Sequence, residues 1–169
     1  MTVTILTDER SRMALGAISL EIVEETIDDL WERLVPDAGK PEVLEISLAA
    51  VDPEEMRRLN GKYRGIDEPT DVLSFPLWET DEGGFAPPSG WPELGLGDIV
   101  VCPVQVADNA VACGKACEDE LLWVLVHGVL HLFALDHASE KDKARMWKIQ
   151  EDLVKAYAGR KLSAPKEEE

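Results

Sequence analysis

The three histidines of this chain, His127, His131 and His137, all lie within the eleven residues HGVLHLFALDH. His127 and His131 are four residues apart, so on a helix their rings project from one face, separated by roughly 40° of rotation. That spacing lets a helix offer two nitrogen ligands to one metal ion. A continuous helix would carry His137 roughly 15 Å along the axis, so we expect the chain to turn back after about Phe133. The spacing therefore predicts a metal site with these three histidines as ligands.

The predicted metal is zinc, one ion per chain, although three imidazoles would also bind nickel, copper or iron. Three protein ligands leave a fourth position open, which is the arrangement of catalytic zinc sites. A structural zinc is one alternative, with Asp136 or a cysteine as the fourth ligand. Another is a pair of neutral core histidines, each with a buried hydrogen-bond partner, and His137 as a cap. We expect Cys113 and Cys117 to be small buried residues on a helix rather than ligands.

The position after His127 is Gly128, where metalloproteases with the H-E-x-x-H spacing carry a glutamate as general base. Peptide hydrolysis needs a proton delivered to a poor amine leaving group, so the missing acid/base disfavours a metalloprotease. Phosphodiester cleavage instead needs charge stabilisation on oxygen atoms, which a metal and the planar donors of arginine supply. The motif therefore favours phosphodiester hydrolysis, with peptide hydrolysis as the alternative.

A small sheet and several helices must position these residues. β-Branched and alternating segments predict strands at Thr2–Thr7, Val43–Val51, Asp71–Phe75 and Leu96–Cys102. Helical spacing and capping residues predict helices at about Leu15–Val35, from Pro53 to Tyr63 or Arg64, and at Pro103–Cys113, Glu118–Phe133 and Ser139–Tyr157. This order predicts an α+β fold, a small mixed four-stranded sheet packed with about five helices, with the metal site on a helix of the C-terminal half and the following turn. We expect residues 1–158 to form a single domain and residues 159–169 a flexible charged tail.

The charge of the chain bears on its partners. Its 169 residues carry 17 Lys and Arg against 34 Asp and Glu, and the net charge of −17 counts against a polyanionic partner. Basic residues nevertheless cluster in Arg57–Arg64 and Lys141–Lys161, so two local segments remain available for a polyanion. The chain starts without a signal-peptide pattern, and its longest apolar run, Leu121–Leu135, is interrupted and too short for a bilayer. We therefore expect a cytoplasmic protein with no membrane partner.

The histidine segment HGVLHLFALDH resembles the H-G-x-L-H-L-x-G-Y-D-H signature of the bacterial YbeY-type endoribonucleases, metal-dependent proteins of ribosomal RNA maturation. LNGKYRGIDEPTDVLSFPL resembles the second signature of that family, and LGDIVV resembles its third. The order and spacing match over nearly the whole chain, from Ile5 to about Tyr157. Two positions depart from the pattern, since Ala134 replaces the family's glycine and Leu135 its tyrosine. If the turn needs a left-handed residue, alanine there costs roughly 1 kcal/mol.

The resemblance implies a zinc-dependent, single-strand-specific endoribonuclease of ribosomal RNA maturation and ribosome quality control. The implied partners are single-stranded RNA of rRNA precursors and the ribosome or its proteins, with no DNA expected. The resemblance places the family's functional arginine at Arg64. We expect Arg64 to grip the scissile phosphate opposite the metal; the alternative is a solvated charge at a helix end. For the whole protein, the alternatives are a metalloprotease and a non-enzymatic ribosome-associated module with a structural zinc.

Other polar residues near the signatures have supporting roles in this interpretation. Asp136 is expected to accept a hydrogen bond from a ligand imidazole, with a turn residue as the alternative. We expect Thr70, Asp71 and Ser74 to anchor the loop that carries Arg64. Among the basic residues of the same region, Lys62 is the next candidate after Arg64 for the phosphate contact. Arg57 and Arg58 are weaker candidates, which we expect either to face water or to contact RNA.

Overall fold

The structure is a computed structural model, and it describes residues 1–36 and 39–158. The helices and strands of this part are β1 (Thr2–Leu6), α1 (Glu9–Leu15), α2 (Ala17–Leu34), β2 (Val43–Ala50), α3 (Pro53–Arg64), β3 (Val72–Pro76), β4 (Glu93–Val101), α4 (Pro103–Cys113), α5 (Cys117–Leu132) and α6 (Glu140–Ala158). No described helix is both long enough and apolar enough to cross a bilayer. The charged tail predicted for residues 159–169 lies outside the described residues.

The four strands form one mixed sheet in the order β1-β2-β4-β3. β1 runs parallel to β2 and β2 parallel to β4, whereas β3 pairs antiparallel with β4. In β4, Gly97 has a φ of 140°, and a Cβ atom there would collide with the carbonyl oxygen of Phe75 on β3. Glycine is therefore required at this point of the sheet. The α+β class and the mixed four-stranded sheet predicted from the sequence are confirmed.

Helix α5 packs on β3 and β4 and against α2, α4 and α6. Because neighbours cover it on several sides, its apolar residues are not confined to one stripe, and nine of its residues are buried. The main core includes Leu48 of β2, Ile99 of β4, and Leu125 and Val129 of α5, all at most 1% exposed. The helix that carries two of the predicted ligands is therefore held rigidly by the rest of the fold.

Strand β3 lies between α5 and α3. Successive side chains of a strand point to opposite faces. Val72 accordingly belongs to the main core with α5, whereas Leu73 joins Met56 of α3 in a second, smaller core. At the start of α3, the side chain of Asp52 accepts a hydrogen bond from the backbone N–H of Glu55 at 2.8 Å, which satisfies a free donor of the first turn. One strand thus positions both helices that carry the candidate site residues.

Two local predictions differ from the structure. The helix predicted from about Leu15 is preceded by a separate helix, α1, because Gly16 adopts a φ of 78° between α1 and α2. The described helices therefore number six rather than about five. Cys113 and Cys117 are exposed, and the prediction that they are buried is wrong. They lie on different helices, since Gly114 ends α4 with a left-handed φ of 66°.

Candidate metal centre

The three histidines predicted as ligands lie together in the structure. His127 and His131 are on α5, and their Nε2 atoms are 3.0 Å apart. The ring of His137 lies 5.5 Å, centroid to centroid, from each of the other two rings. One ligand atom from each histidine falls within 4.8 Å of the others. Three imidazole nitrogens this close together suit a single zinc ion or another first-row metal.

A tight turn at the end of α5 brings His137 back to the cluster. The backbone N–H of Ala134 donates to the His131 carbonyl at 3.0 Å, and that of Leu135 donates to the Leu130 carbonyl at 3.2 Å. These two bonds form the Schellman pattern of helix ends, in which the residue after the cap is left-handed. Ala134 has a φ of 57°, and it is the one non-glycine residue with a positive φ in the described part of the chain. The turn expected after α5 is present, with alanine at the position that favours glycine.

Burial favours the neutral form of two of the histidines. The pKa of His131 is lowered to about 4, first by burial and then by the neighbouring rings of His127 and His137. Burial also lowers the pKa of His127, while its hydrogen bond to Gln150 acts in the opposite direction. Metals bind the neutral form of imidazole. At neutral pH these two histidines are therefore in the protonation state that a metal ligand requires.

Gln150 of α6 fixes the orientation of the His127 ring. It is fully buried; its amide nitrogen donates to the Trp123 carbonyl at 3.1 Å, and its Oε1 lies 3.2 Å from Nδ1 of His127. Because the amide nitrogen is directed at a carbonyl, the oxygen faces the imidazole and accepts the Nδ1 proton. Nε2 of His127 is thereby left for a metal. The sequence prediction did not include Gln150, although a glutamine between the buried Met146 and Leu153 on one helix is a signal that could have found it.

Asp136 has a different partner from the predicted one. Its Oδ1 accepts a hydrogen bond from the backbone N–H of His137 at 2.6 Å, so it acts as a turn residue. A short aspartate side chain readily bonds the backbone of its own turn. The ring of His131 instead lies against the ring of His127, with their Nε2 atoms 3.0 Å apart, and near the backbone of Leu135. An amide group therefore holds the ring of His127, and that ring in turn contacts His131.

Gly128 faces the sheet rather than the histidine cluster. A Cβ atom at this position would lie 3.2 Å from Val72, 3.3 Å from Ile99 and 3.4 Å from Ser74. The hydroxyl of Ser74 donates to the Gly128 carbonyl at 2.8 Å and joins β3 to α5 where they approach closely. Ser74 therefore anchors α5. The sequence had predicted that it anchors the loop that carries Arg64. A glutamate at position 128 would be directed into this packed interface, so a base of the metalloprotease type does not fit here.

Arg64, the last residue of α3, lines the same cavity as the three histidines, which has a volume of about 560 Å³. Burial is the main cause of the lowered pKa of His127, and the positive charge of the Arg64 guanidinium adds a smaller effect in the same direction. The loop after Arg64 is held by Asn60, whose side-chain amide donates to the Glu68 carbonyl at 2.8 Å. Asn60 is buried one helical turn after Met56, a polar residue at an apolar position, and the sequence prediction did not include it. The structure thus places Arg64 beside the ligand cluster.

The end of the same loop is fixed by Asp71. Its Oδ1 accepts hydrogen bonds from the backbone N–H of Val72 at 2.8 Å and from the hydroxyl of Thr70 at 3.3 Å. Its Oδ2 accepts a hydrogen bond from the amide of Asn109 on α4 at 3.4 Å. Thr70 and Asp71 therefore hold the loop after Arg64 at its far end, where it enters β3.

Two further arginines of α3 lie outside the cavity. Arg57 donates two hydrogen bonds of 2.8 Å to the carboxylate of Asp67, and Arg58 pairs with Glu55. Both arginines are exposed, and neither lines the cavity. Of these three arginines of α3, Arg64 alone lines the cavity in which a molecule bound beside the histidines would lie.

The histidine cluster contains three candidate ligands in the described part of the chain. The carboxylate of Asp136 is not part of the cluster, and no cysteine lines the cavity. Three ligands beside an accessible cavity are typical of catalytic rather than structural metal centres. The fold and the site thus define an α+β protein in which three histidines that could hold a metal ion lie beside an accessible cavity.

Comparisons with known proteins agree with this class. The model of the family described as endoribonuclease YbeY matches residues 10–158. A protein named endoribonuclease YbeY from Halalkalibacterium halodurans is 41% identical over 144 residues, which cover 81% of this chain and 90% of that protein. A second, from Salinispora tropica, is 36% identical over 83% of this chain and 96% of its own length. The solution structure of TM1509 from Thermotoga maritima superposes with a TM-score of 0.59 at 31% identity, covering 99% of this chain and 97% of that one. The chain belongs to the endoribonuclease YbeY family.

Proposed function

We propose that this protein is a zinc-dependent endoribonuclease that cleaves single-stranded RNA. One zinc ion is held by His127, His131 and His137, and Arg64 contacts the scissile phosphate. The observation that carries the proposal is the convergence of three histidine ligands and this arginine in one cavity. Membership of the endoribonuclease YbeY family supports RNA as the substrate.

The groups of the cavity have distinct chemical tasks. A bound zinc ion supplies a Lewis acid for a phosphoryl oxygen. The guanidinium of Arg64 donates parallel N–H groups to the non-bridging oxygens of the phosphate, and these bonds strengthen as negative charge develops in the transition state. Gln150 keeps Nε2 of His127 directed toward the ligand cluster. Binding, orientation and charge stabilisation are thus divided among residues from α3, α5 and α6.

Two alternative functions fit the site less well. A metalloprotease of the H-E-x-x-H type needs a base beside its first histidine, and Gly128 is packed against Ser74 and Ile99 instead. A non-enzymatic ribosome-associated module with a structural zinc needs a fourth protein ligand, and among the described residues the cluster holds three.

We further propose that the substrate is an rRNA precursor and that the protein acts at the ribosome in the cytoplasm, in rRNA maturation and ribosome quality control. The resemblance of the three signature segments to those of the family supports this role. A single strand can bend its phosphates into a cavity, whereas an A-form duplex presents them on a rigid surface. The net charge of −17 gives little non-specific attraction to RNA and is complementary to basic ribosomal proteins, which would bring the enzyme to its substrate.

The proposal is tested by incubating purified, RNase-free protein with single-stranded RNA, duplex RNA and casein. We expect metal-dependent cleavage of the single strand, its loss with a chelator, and its return when zinc is added. Casein cleavage that disappears in His131→Ala would support the metalloprotease instead. Zinc bound by four protein ligands, together with intact RNA, would support the non-enzymatic module.

A further inference from the structure

Tyr63 is an exposed aromatic residue beside the candidate catalytic arginine. It is 54% exposed, although it lies next to Arg64 in the last turn of α3 and lines the same cavity. Its ring packs against Phe75 of β3, with centroids 4.9 Å apart and planes at 68°. Contact with a half-buried strand residue holds the Tyr63 ring in place while leaving much of it open to solvent. A fixed, exposed ring of this kind offers a surface on which another planar group can stack.

The charged side chains of the cavity favour such a surface for RNA binding. Among the described residues that line it, Arg64 is the one lysine or arginine. Four carboxylates share the lining, from Asp71, Glu79, Glu120 and Asp136. Proteins usually bind RNA through many lysine and arginine contacts to phosphates, and this cavity does not provide them. Apart from the zinc ion and Arg64, the affinity for RNA therefore draws on contacts that do not depend on charge, and stacking on aromatic rings is the contact that single-stranded bases make most readily.

We propose that Tyr63 is the stacking platform for the nucleobase next to the phosphate that Arg64 binds. This inference rests on the proposed function of the cavity. Tyr63 and Arg64 are consecutive residues at the end of one helix, and both line the cavity, so the stacked base and the bound phosphate would belong to neighbouring positions of one strand. The ammonium group of Lys62 lies 4.9 Å from the centroid of the Tyr63 ring. When a base stacks on the Tyr63 ring in place of the Lys62 ammonium group, that ammonium group moves to a neighbouring phosphate of the same strand.

Trp147 of α6 provides a matched control. It is 47% exposed, and the ammonium group of Lys143 lies 4.9 Å from its ring, so its exposure and lysine contact resemble those of Tyr63. It does not line the cavity. A general effect of removing an exposed aromatic residue would appear at both positions, whereas loss of a stacking platform would appear at Tyr63 alone.

The test compares Tyr63→Leu, Tyr63→Phe and Trp147→Leu in the full-length, zinc-loaded protein. The probe is a short single-stranded oligoribonucleotide with phosphorothioate linkages, which resists cleavage, and the measurement is its Kd by fluorescence anisotropy. Loss of one stacked base lowers affinity by about 5- to 150-fold. We expect an increase in Kd of that size for Tyr63→Leu, and a change of at most about twofold for Tyr63→Phe and Trp147→Leu, because Phe keeps the ring and Trp147 lies elsewhere.

A probe with abasic sites sharpens the result, because it has no base to stack. We expect wild-type and Tyr63→Leu proteins to bind the abasic probe equally. Equal Kd values of these two proteins for the intact probe would overturn the stacking platform, as would an equal loss in Trp147→Leu. Thermal unfolding and zinc content confirm that each variant is folded and loaded. Failure of the wild-type protein to cleave any unmodified RNA would instead overturn the proposed function, and the Kd comparison does not depend on that result.

Discussion

Two helix ends line the same cavity, and they are built differently. α3 ends at Arg64 and is followed by Gly65 with a φ of 71°, whereas α5 is followed by a turn in which Ala134 has a φ of 57°. Gly65 is exposed, and a Cβ atom added there would meet nothing within 4 Å. Ala134 is only 9% exposed. The end that carries the arginine is thus open to solvent, and the end that carries His131 is part of the packed interior.

The difference follows from what each end must do. A metal site needs its ligands held within a fraction of an ångström, and packing and hydrogen bonds around the ligands provide this. The α5 end meets that requirement for its two histidines through Gln150, which orients His127, and through the buried Ala134 of the turn. An arginine that binds a phosphate of a mobile RNA strand needs access, and the exposed end of α3 provides it. The two histidines of α5 are therefore preorganised, whereas the substrate contact at Arg64 remains adjustable.

The largest effect is expected at the α5 end, from His131→Ala. Removing one of three ligands should reduce zinc affinity by more than the roughly 10- to 100-fold that loss of a supporting residue costs. RNA cleavage should fall to background. Isothermal titration of the metal-free protein with zinc and a cleavage assay measure the two effects. A variant that still binds one zinc with wild-type affinity would remove His131 from the ligand set.

The next effect tests the α3 end with Arg64→Ala. Because the guanidinium acts on the phosphate and not on the metal, we expect cleavage to fall about 10²- to 10³-fold while zinc binding stays unchanged. Arg58→Ala is the matched control, since Arg58 is also exposed on α3 and pairs with Glu55 outside the cavity. Equal rates for the two variants would show that Arg64 has no special part in the reaction.

A smaller effect, on zinc affinity, is expected from the residue that supports His127 at the α5 end. Gln150→Met keeps the volume of the side chain but removes the acceptor for His127, and we expect zinc affinity to fall roughly 10- to 100-fold. Gln105→Met is the control. It removes the hydrogen bond from Gln105 to Asn109 within α4 and should leave zinc affinity unchanged. Competition with a chromophoric chelator gives both affinities. If the two variants bind zinc alike, the orientation of His127 does not depend on Gln150.

The smallest effects concern the two left-handed residues themselves. Gly65→Ala should destabilise the fold by about 1 kcal/mol, because alanine pays the left-handed penalty there without gaining a contact. Ala134→Gly relieves the same strain but loses a largely buried methyl group, so we expect a gain of only roughly 0.5 kcal/mol. Urea unfolding of the zinc-free proteins measures both changes. A loss of stability in Ala134→Gly would mean that the methyl contact outweighs the strain.

The sequence predicted the parts of the site that depend on local geometry. The four-residue spacing of His127 and His131 and the need for a turn before His137 are properties of one helix and its end. Gln150 could not be predicted in the same way, because its contact with His127 joins two helices across 23 residues and depends on how α6 packs. Asp136 was assigned to a ring because its preference for the backbone of its own turn was given too little weight. The strand pattern was sufficient to predict the four-stranded sheet. The sequence prediction did not include the break at Gly16, which separates α1 from α2.

The packing at Gly128 also bears on how such a site can evolve. In sequence, the His127–His131 segment differs from the H-E-x-x-H motif of peptidases by one amino acid, at position 128. In the folded protein the two are separated, because a larger side chain at position 128 would have to displace Val72, Ile99 and Ser74 at once. Substitutions at this position should therefore lower the free energy of unfolding, and the loss should grow with the size of the side chain. A change to the other chemistry would therefore also require smaller side chains on both neighbouring strands.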